Sequence, residues 1–479
     1  MKHICIIGSG FSGGILASEI SEDPKIKVTL LDCDNIKEKF DDRFNLKKNK
    51  SSYLSFNSTA YGFGGTSNLW HGVMTLLDDC DYNLISSKIK IDFKSEIKKV
   101  LPELNKYFGN LSILLGNKYK ENQKYFKHEP FLSKNHIIQK KPVRIRKIIN
   151  DSCKKNSNLN LISNALVISL KYSGSKITSV IYNQNGIKKE LTADIFVISA
   201  GALESPRILL DSFVNDHKNY HIGKNLLDHP IVLIGKLKLN RKSFHNFHGI
   251  YNFFRNNSPR LGLILKSNYK NNDQLNHSIF LRPSTKTDMS SFKKDLSLLL
   301  SGKLSFIRIL TILFNPRLLR LSLILLMEKA GIGYYTDELD VTLQLEGVSE
   351  TGQSYVKLSS QKDQYNRSIP DINYNFSNKL LSDIKYIQEL LSNNTRSNST
   401  FVSCKVNFSD FILGSHHAGT CSMSYEEGQG VVDSNLKYHG IENLYICDAS
   451  VLPKIGNANL SLTLAALAIR LSNQIKLNI

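Results

Sequence analysis

Apolar and polar positions divide the 479-residue chain into distinct blocks. The first is an unbroken apolar run, Ile4-Cys5-Ile6-Ile7, followed by Gly8-Ser9-Gly10-Phe11-Ser12-Gly13-Gly14 and an apolar stretch to Ile20. A short apolar run bounded by glycines predicts a buried strand and a tight turn, and the stretch after it predicts a helix. Lys27 to Leu31 supplies a second strand that ends at Asp32, closing a βαβ unit. The pattern is helical and basic between about 75 and 150, and the β-rich runs Ala165-Leu166-Val167-Ile168 and Ile195-Phe196-Val197-Ile198 resume the sheet. Alternation in Val341-Thr342-Leu343-Gln344-Leu345 marks a second unit over residues 231–404, with an apolar, basic helical insertion at about 292–330. The last sixty residues return to a glycine-rich loop, a strand Leu444-Tyr445-Ile446-Cys447 and a helix from about Ser461 to Ile475. The expected fold class is α/β: a discontinuous first domain, 1–230 with 405–479, and an α+β second domain, 231–404, built on a β-sheet.

In Gly8-x-Gly10-x-x-Gly13 each glycine has a reason. The first permits the sharp turn, the second lets backbone approach a pyrophosphate, and the third lets helix pack on strand. A strand precedes the motif, a helix follows, and Asp32 closes the second strand at the distance suited to a ribose hydroxyl. The context predicts a Rossmann-like dinucleotide site, with the helix N-terminus facing phosphate. It does not separate FAD from NAD. A second glycine cluster, Tyr61-Gly62-Phe63-Gly64-Gly65-Thr66-Ser67-Asn68-Leu69-Trp70-His71-Gly72, carries the only tryptophan and predicts a backbone-dominated site.

Composition narrows this little. Hydrophobic residues at 41% and charged residues at 22% are ordinary for a globular protein. Seven cysteines without a Cys-x-x-Cys pair or zinc spacing give no metal site, and with an opening strand in place of a secretory signal they lead us to expect a reduced, cytoplasmic setting. The net charge of +20 favours anionic partners, but much of it is Lys scattered among Asn, Ser and Ile, which is the pattern of a solvated surface. No basic-aromatic RNA signature or zinc finger accompanies it, so no nucleic-acid partner is expected.

The far end of the chain decides the class. Gly414-Ser415-His416-His417-Ala418-Gly419-Thr420-Cys421-Ser422-Met423 is followed by Gly430-Val431-Val432-Asp433 and by Asp448-Ala449-Ser450-Val451-Leu452-Pro453. This resembles the glucose-methanol-choline (GMC) oxidoreductase family. Gly201-Ala202-Leu203-Glu204-Ser205-Pro206 is similar to its second signature, and Ile222-Gly223-Lys224-Asn225-Leu226-Leu227-Asp228-His229-Pro230 to its usual entry into the substrate domain. Leu345-Glu346, Val356-Lys357-Leu358 and Asp363 are loosely similar to strands of the sugar- and pyranose-oxidising branch.

The resemblance implies an FAD-dependent enzyme that oxidises a CH–OH group of a sugar or other alcohol. It implies His416 as the catalytic base and Asn459 as its partner across the substrate, the His/Asn pairing of a subset of the family. A His suits the hydroxyl proton because its charge changes near neutral pH, and a side-chain amide can orient the oxygen. The cofactor-binding residues implied are Gly8, Gly10, Gly13, Asp32, Gly64, Gly65, Thr66, Ser67, Trp70, Val167, Gly201, Asp448, Ala449 and Asn459. Without the family, two adjacent histidines in a glycine loop read as a surface turn or a satisfied polar pair, and Asp448 reads as the N-cap of a following turn. Where some relatives carry a flavin-linking His, this chain has Leu69, so FAD is expected to be non-covalent; His71 lies two residues further.

Leu296 to Met327 is apolar but broken by Lys303, Arg308, Arg317 and Arg320, with no run of the roughly 18 to 20 apolar residues that a span needs. The segment reads either as a buried helical pair or oligomer contact, or as helices lying on a membrane surface. The second reading brings a peripheral place on the inner face of the membrane and a lipid-linked glycan as substrate. A non-oxidative lyase or decarboxylase on the same fold stays open, because fold does not fix function. A nucleic-acid-binding flavoprotein is the remote alternative.

Overall fold

Five parallel strands form the sheet under the N-terminal turn, in the order Leu444–Ile446, Ile195–Ile198, Lys2–Ile7, Ile26–Leu31 and Leu159–Ile162. They are seen in a computed structural model, which describes residues 1–33, 45–46, 59–111, 114, 125–127, 129–139, 141–213, 220–245, 258–270, 276–284, 316, 319, 323, 326–327, 334–347 and 353–478. Ile4, Cys5 and Ile6 have no exposed surface, as expected for parallel strands covered on both faces. Helix Phe11–Ile20 is buried from Ser12 onward between Ile145–Lys155 and Ser461–Leu477. Gly14 allows this approach: a Cβ there would lie 2.1 Å from Ile145 Cγ2. The C-terminal strand completes the edge of a sheet that the first residues begin, which agrees with the expected α/β class.

The second large sheet has seven strands, in the order Ser399–Ser403, Ile231–His245, Tyr334–Gln344, Ser278–Pro283, Ser258–Leu265, Phe131–Ile138 and Val73–Met74. Ile231 pairs with Gln344 in antiparallel register, so both side chains reach the same end of the sheet. Helix Lys379–Asn393 covers one face with Leu380, Ile384, Ile387 and Leu391, the spacing of a single helical stripe. Phe131–Ile138 departs from the helical pattern expected between 75 and 150. Its inward positions include Lys134 and His136, both buried, so the alternation that marks a strand is hidden by polar residues. Most of 296–327 lies outside the described residues; Pro316, Leu319, Leu323, Leu326 and Met327 are helical.

Candidate active site

A cavity of about 650 Å³ runs from Asp32 to His416 and Asn459. At one end, strand Lys2–Ile7 delivers the chain into the glycine turn, where Gly8 sits at φ +102°. A Cβ on Gly8 would meet Ser199 O at 2.5 Å, and one on Gly13 would meet Gly8 O at 2.0 Å, so these two glycines let strand and helix pack. Gly10 differs: among the described residues nothing lies nearer its Cβ position than Ser199 O at 4.0 Å, and the residue lines open cavity. Ser9 Oγ donates to Asp32 and accepts from Gly64 N at 2.8 Å, tying the second glycine cluster to the first. Ser12 Oγ, Thr59 Oγ1 and Ser199 Oγ are buried with no hydrogen-bond partner among the described residues, and all three residues line this end.

The wall between the ends is Gly65–Leu69, a short 3-10 turn, and Trp70. Trp70 meets Phe11 edge-to-face with centroids 5.2 Å apart, and Arg144 Nη1 donates to Trp70 O at 2.9 Å. Elsewhere in the lining, Asp448 accepts from Gly201 N at 2.9 Å and Ser205 Oγ at 2.5 Å through one oxygen, and from Ser450 N at 2.8 Å through the other. Asp448 thus caps the Ala449–Val451 turn, as its N-cap reading expects, while also lining the cavity.

At the far end, His416 Nε2 lies 3.2 Å from Asn459 Nδ2 and His416 Nδ1 lies 3.2 Å from His229 Nδ1. Protein surrounds His416, yet its ring keeps surface open to the cavity. Burial lowers its pKa, the Asp228 charge works in the other direction, and His417 lowers it further. Asp228 is fully buried and accepts from the backbone N–H of His416 at 2.8 Å and of His229 at 2.7 Å. Its other oxygen faces His417 Nδ1 at 3.4 Å, and Tyr374 Oη reaches the same nitrogen.

A buried ionic cluster holds the loop that carries Asn459. Glu346 accepts from Lys454 Nζ at 2.8 Å and from Gly456 N at 2.9 Å; Asp78 accepts from Asn457 Nδ2 at 3.1 Å and pairs with Lys134 Nζ at 2.9 Å. Asp81 lies 3.6 Å from Lys454 Nζ and accepts from Asn276 Nδ2 at 3.0 Å. Three carboxylates and two lysines from distant segments therefore fix Gly456 to Asn459 against the His229 ring.

Profiles described as GMC oxidoreductase match residues 116–231 and 350–468, the second containing both His416 and Asn459. The chain belongs to the GMC oxidoreductase family. Curated relatives include the oxygen-dependent choline dehydrogenases of Citrobacter koseri, 39% identical over 61 residues, and of Escherichia coli, 38% identical over 61 residues. The match takes in 13% of this chain and spans only 11% of the length of those relatives. Pyridoxine 4-oxidase from Mesorbium loti has the same fold, with TM-score 0.66 over 99% of both chains at 15% identity. An FAD-dependent oxidoreductase from Chaetomium thermophilum superposes with TM-score 0.60 over 99% of both chains at 16% identity.

GMC oxidoreductases are FAD proteins, and the residues of this one fit the cofactor. The hydroxyls of Ser12, Thr59 and Ser199, partnerless among the described residues, stand beside a helix N-terminus and the open face of Gly10, a donor set suited to a pyrophosphate. Of the residues expected to bind the cofactor, Gly8, Gly10, Asp32, Gly65, Thr66, Ser67, Trp70, Val167, Gly201, Asp448, Ala449 and Asn459 line the cavity. Gly13 and Gly64 do not; they act on the backbone behind it. Leu69 and His71 both line it. Sequence reading missed Ser9, Arg144, Tyr374 and the role of His229, since each acts through contacts more than forty residues away or within an unremarkable turn. It also missed the buried group Glu204, Arg207, Asp363 and Arg367 beside the Asp32 end, joined by Arg207–Asp363 and Arg367–Asp363 pairs at 2.9 Å. None of the seven cysteines is disulfide-bonded.

Proposed function

We propose that this GMC oxidoreductase oxidises the CH–OH group of a sugar or another small alcohol, with His416 as base, Asn459 as its partner and FAD held non-covalently. The observation that carries the reading is the 3.2 Å contact between His416 Nε2 and Asn459 Nδ2 at the inner end of a cavity whose other end is the glycine turn. A hydroxyl entering between them donates its proton to His416 Nε2 and accepts from the Asn459 amide. Bound flavin supplies the acceptor for the hydride that leaves the same carbon, so alcohol becomes carbonyl. Asp228 stabilises the imidazolium that forms, because its charge favours the protonated ring. Trp70, Leu464 and Ile231 give the cavity part of its apolar lining. The test is an anaerobic absorbance spectrum of the holoenzyme with a panel of sugars and primary alcohols. Bleaching in the wild type and none in His416→Ala supports the reading; no bleaching with any alcohol in the panel favours a non-oxidative reaction.

We propose further that the protein docks on an anionic membrane surface through the 296–327 segment, which suits a lipid-linked glycan as substrate and a place on the inner face. Among the described residues no helix is long and apolar enough to cross a membrane. Leu319, Leu323 and Leu326, spaced as one helical face, are 54, 58 and 63% exposed, and Arg317 and Arg320 stand beside them in sequence. Co-sedimentation with anionic vesicles, lost in Leu319→Gln/Leu323→Gln, checks it; equal recovery in the supernatant with and without vesicles argues against it.

A further inference from the structure

Three contacts run end to end through two histidines: His229 Nε2 to Gly456 O at 2.9 Å, His229 Nδ1 to His416 Nδ1 at 3.2 Å, and His416 Nε2 to Asn459 Nδ2 at 3.2 Å. Their directions can be assigned from one end. A peptide carbonyl only accepts, so the proton of a neutral His229 sits on Nε2. Its Nδ1 is then bare, and the hydrogen in the contact between the two rings belongs to His416 Nδ1. That leaves the His416 lone pair on Nε2, the nitrogen that meets Asn459. The Asn459 amide nitrogen, a donor, points at that lone pair and agrees with the direction set from the carbonyl.

His229 has no exposed surface, and burial, followed by the His416 charge, depresses its pKa to about 3, which favours the neutral ring. Asp228, the carboxylate nearest this pair, is engaged by the His416 backbone N–H and faces the His417 ring. The hydrogen-bond acceptor at His416 Nδ1 is therefore a neutral imidazole, in the position where a Ser-His-Asp triad places a carboxylate. Gly456 belongs to the loop fixed by Glu346 and Lys454, so the carbonyl that starts the chain is itself held.

We propose that His229 is a positioning residue that locks His416 in the Nδ1–H tautomer, presenting a bare Nε2 to the substrate hydroxyl without adding a negative charge to the ring's partner. The inference rests on the reading of His416 as base. Without it, either ring nitrogen of a neutral His416 can carry the proton, and in the Nε2–H form the ring faces the substrate as a donor that cannot take a proton.

The test is long-range proton–nitrogen correlation of histidine ring nitrogens in ¹⁵N-histidine-labelled holoenzyme, with His416 assigned by the signal missing in His416→Gln. The expected result is a protonated Nδ1 and a bare Nε2 on His416; a protonated Nε2 in the wild type overturns the proposal without recourse to any variant. His229→Asn keeps an oxygen at the δ position to accept from His416 Nδ1 and is expected to retain the tautomer. His229→Leu removes the acceptor and is expected to populate Nε2–H and slow flavin reduction by about 10²-fold with substrate affinity unchanged. A His229→Leu holoenzyme that keeps His416 fully in the Nδ1–H form also overturns it. The two readings fail separately. Loss of bleaching in His416→Ala with His416 still fully Nδ1–H in His229→Leu spares the base and sinks the lock, whereas an Nδ1–H form that His229→Leu abolishes, with normal bleaching in His416→Ala, sinks the base alone.

Discussion

Asn459 and His416 reach each other from opposite sides of the last loop region, their side-chain nitrogens 3.2 Å apart across 43 residues of sequence. The contact is short enough that a substrate oxygen must displace it in part and inherit both interactions. Asn459→Ala is therefore expected to lower the rate of flavin reduction, since the hydroxyl loses its orienting donor while the base stays. His416→Ala is expected to cost more, about 10²- to 10⁴-fold. Stopped-flow reduction of both single variants and the double variant checks this. Two residues acting on one oxygen should be non-additive, so the double variant should be little slower than His416→Ala.

Acid should act on the site and on the fold with the same sign. Burial works to raise the Asp228 pKa, but the hydrogen bond and charge of His417, then the charge of His416, outweigh it and bring it to about 2 from 3.8. A depressed carboxylate stabilises the fold above its unfolded value and loses that contribution as pH falls through the folded one, here on the order of 2 kcal/mol between about pH 4 and pH 2. His229, depressed to about 3, resists protonation, and its contribution fades as pH drops from 6.5 toward 3. Denaturant titrations should show stability declining from about pH 6.5 downward, with the lowest step missing in Asp228→Asn. In kcat/KM the acid limb set by His416 should lie below 6.5, and it should move lower in Asp228→Asn because that charge favours the protonated ring. A limb at or above 6.5 contradicts the assignment.

The loop beneath the pair depends on balanced buried charge. Lys454 is 6% exposed and sits between Glu346 and Asp81 at 2.8 and 3.6 Å. Lys454→Met strands two carboxylates and is expected to cost about 3–5 kcal/mol of stability, read by chemical denaturation. Lys454→Met/Glu346→Gln should recover part of it, because the neutral amide can still accept from Gly456 N. If the single variant is as stable as the wild type, the cluster does not hold the loop.

How far the sequence carried the reading differs from element to element. The strand Lys2–Ile7 and helix Phe11–Ile20 were legible because their apolar runs are uninterrupted and the glycines between them are punctuation that physics requires. The expectation for His416 and Asn459 rests on motif resemblance alone, since no local pattern distinguishes a base from a surface histidine; the fold adds that the two side chains lie 3.2 Å apart. Phe131–Ile138 was illegible as a strand because Lys134 and His136 occupy inward positions, where Lys134 finds Asp78 and Asn457. His229 stood in plain view within Asn225-Leu226-Leu227-Asp228-His229, but only the fold shows that it touches His416, 187 residues away.

The glycines of the N-terminal turn give a test that separates folding from cofactor binding. Gly13 has no room for a side chain: a Cβ would lie 2.0 Å from Gly8 O and 2.9 Å from Ser199 Cβ, so Gly13→Ala must push helix from strand. Gly10 has room, with Ser199 O at 4.0 Å and φ at −64°, outside the left-handed region that disfavours a side chain. Its methyl would instead stand in the cavity beside Ser12 and Ser199, where the pyrophosphate is expected. Gly13→Ala should therefore destabilise the apoprotein, and Gly10→Ala should leave apoprotein stability close to wild type while weakening FAD binding by roughly tenfold or more, about 1.4 kcal/mol. Thermal unfolding of apoprotein and equilibrium titration with FAD measure the two effects independently. Equal FAD affinity in Gly10→Ala and the wild type would place the pyrophosphate away from the turn, and with it the reading of Ser12 and Ser199 as its donors would fall.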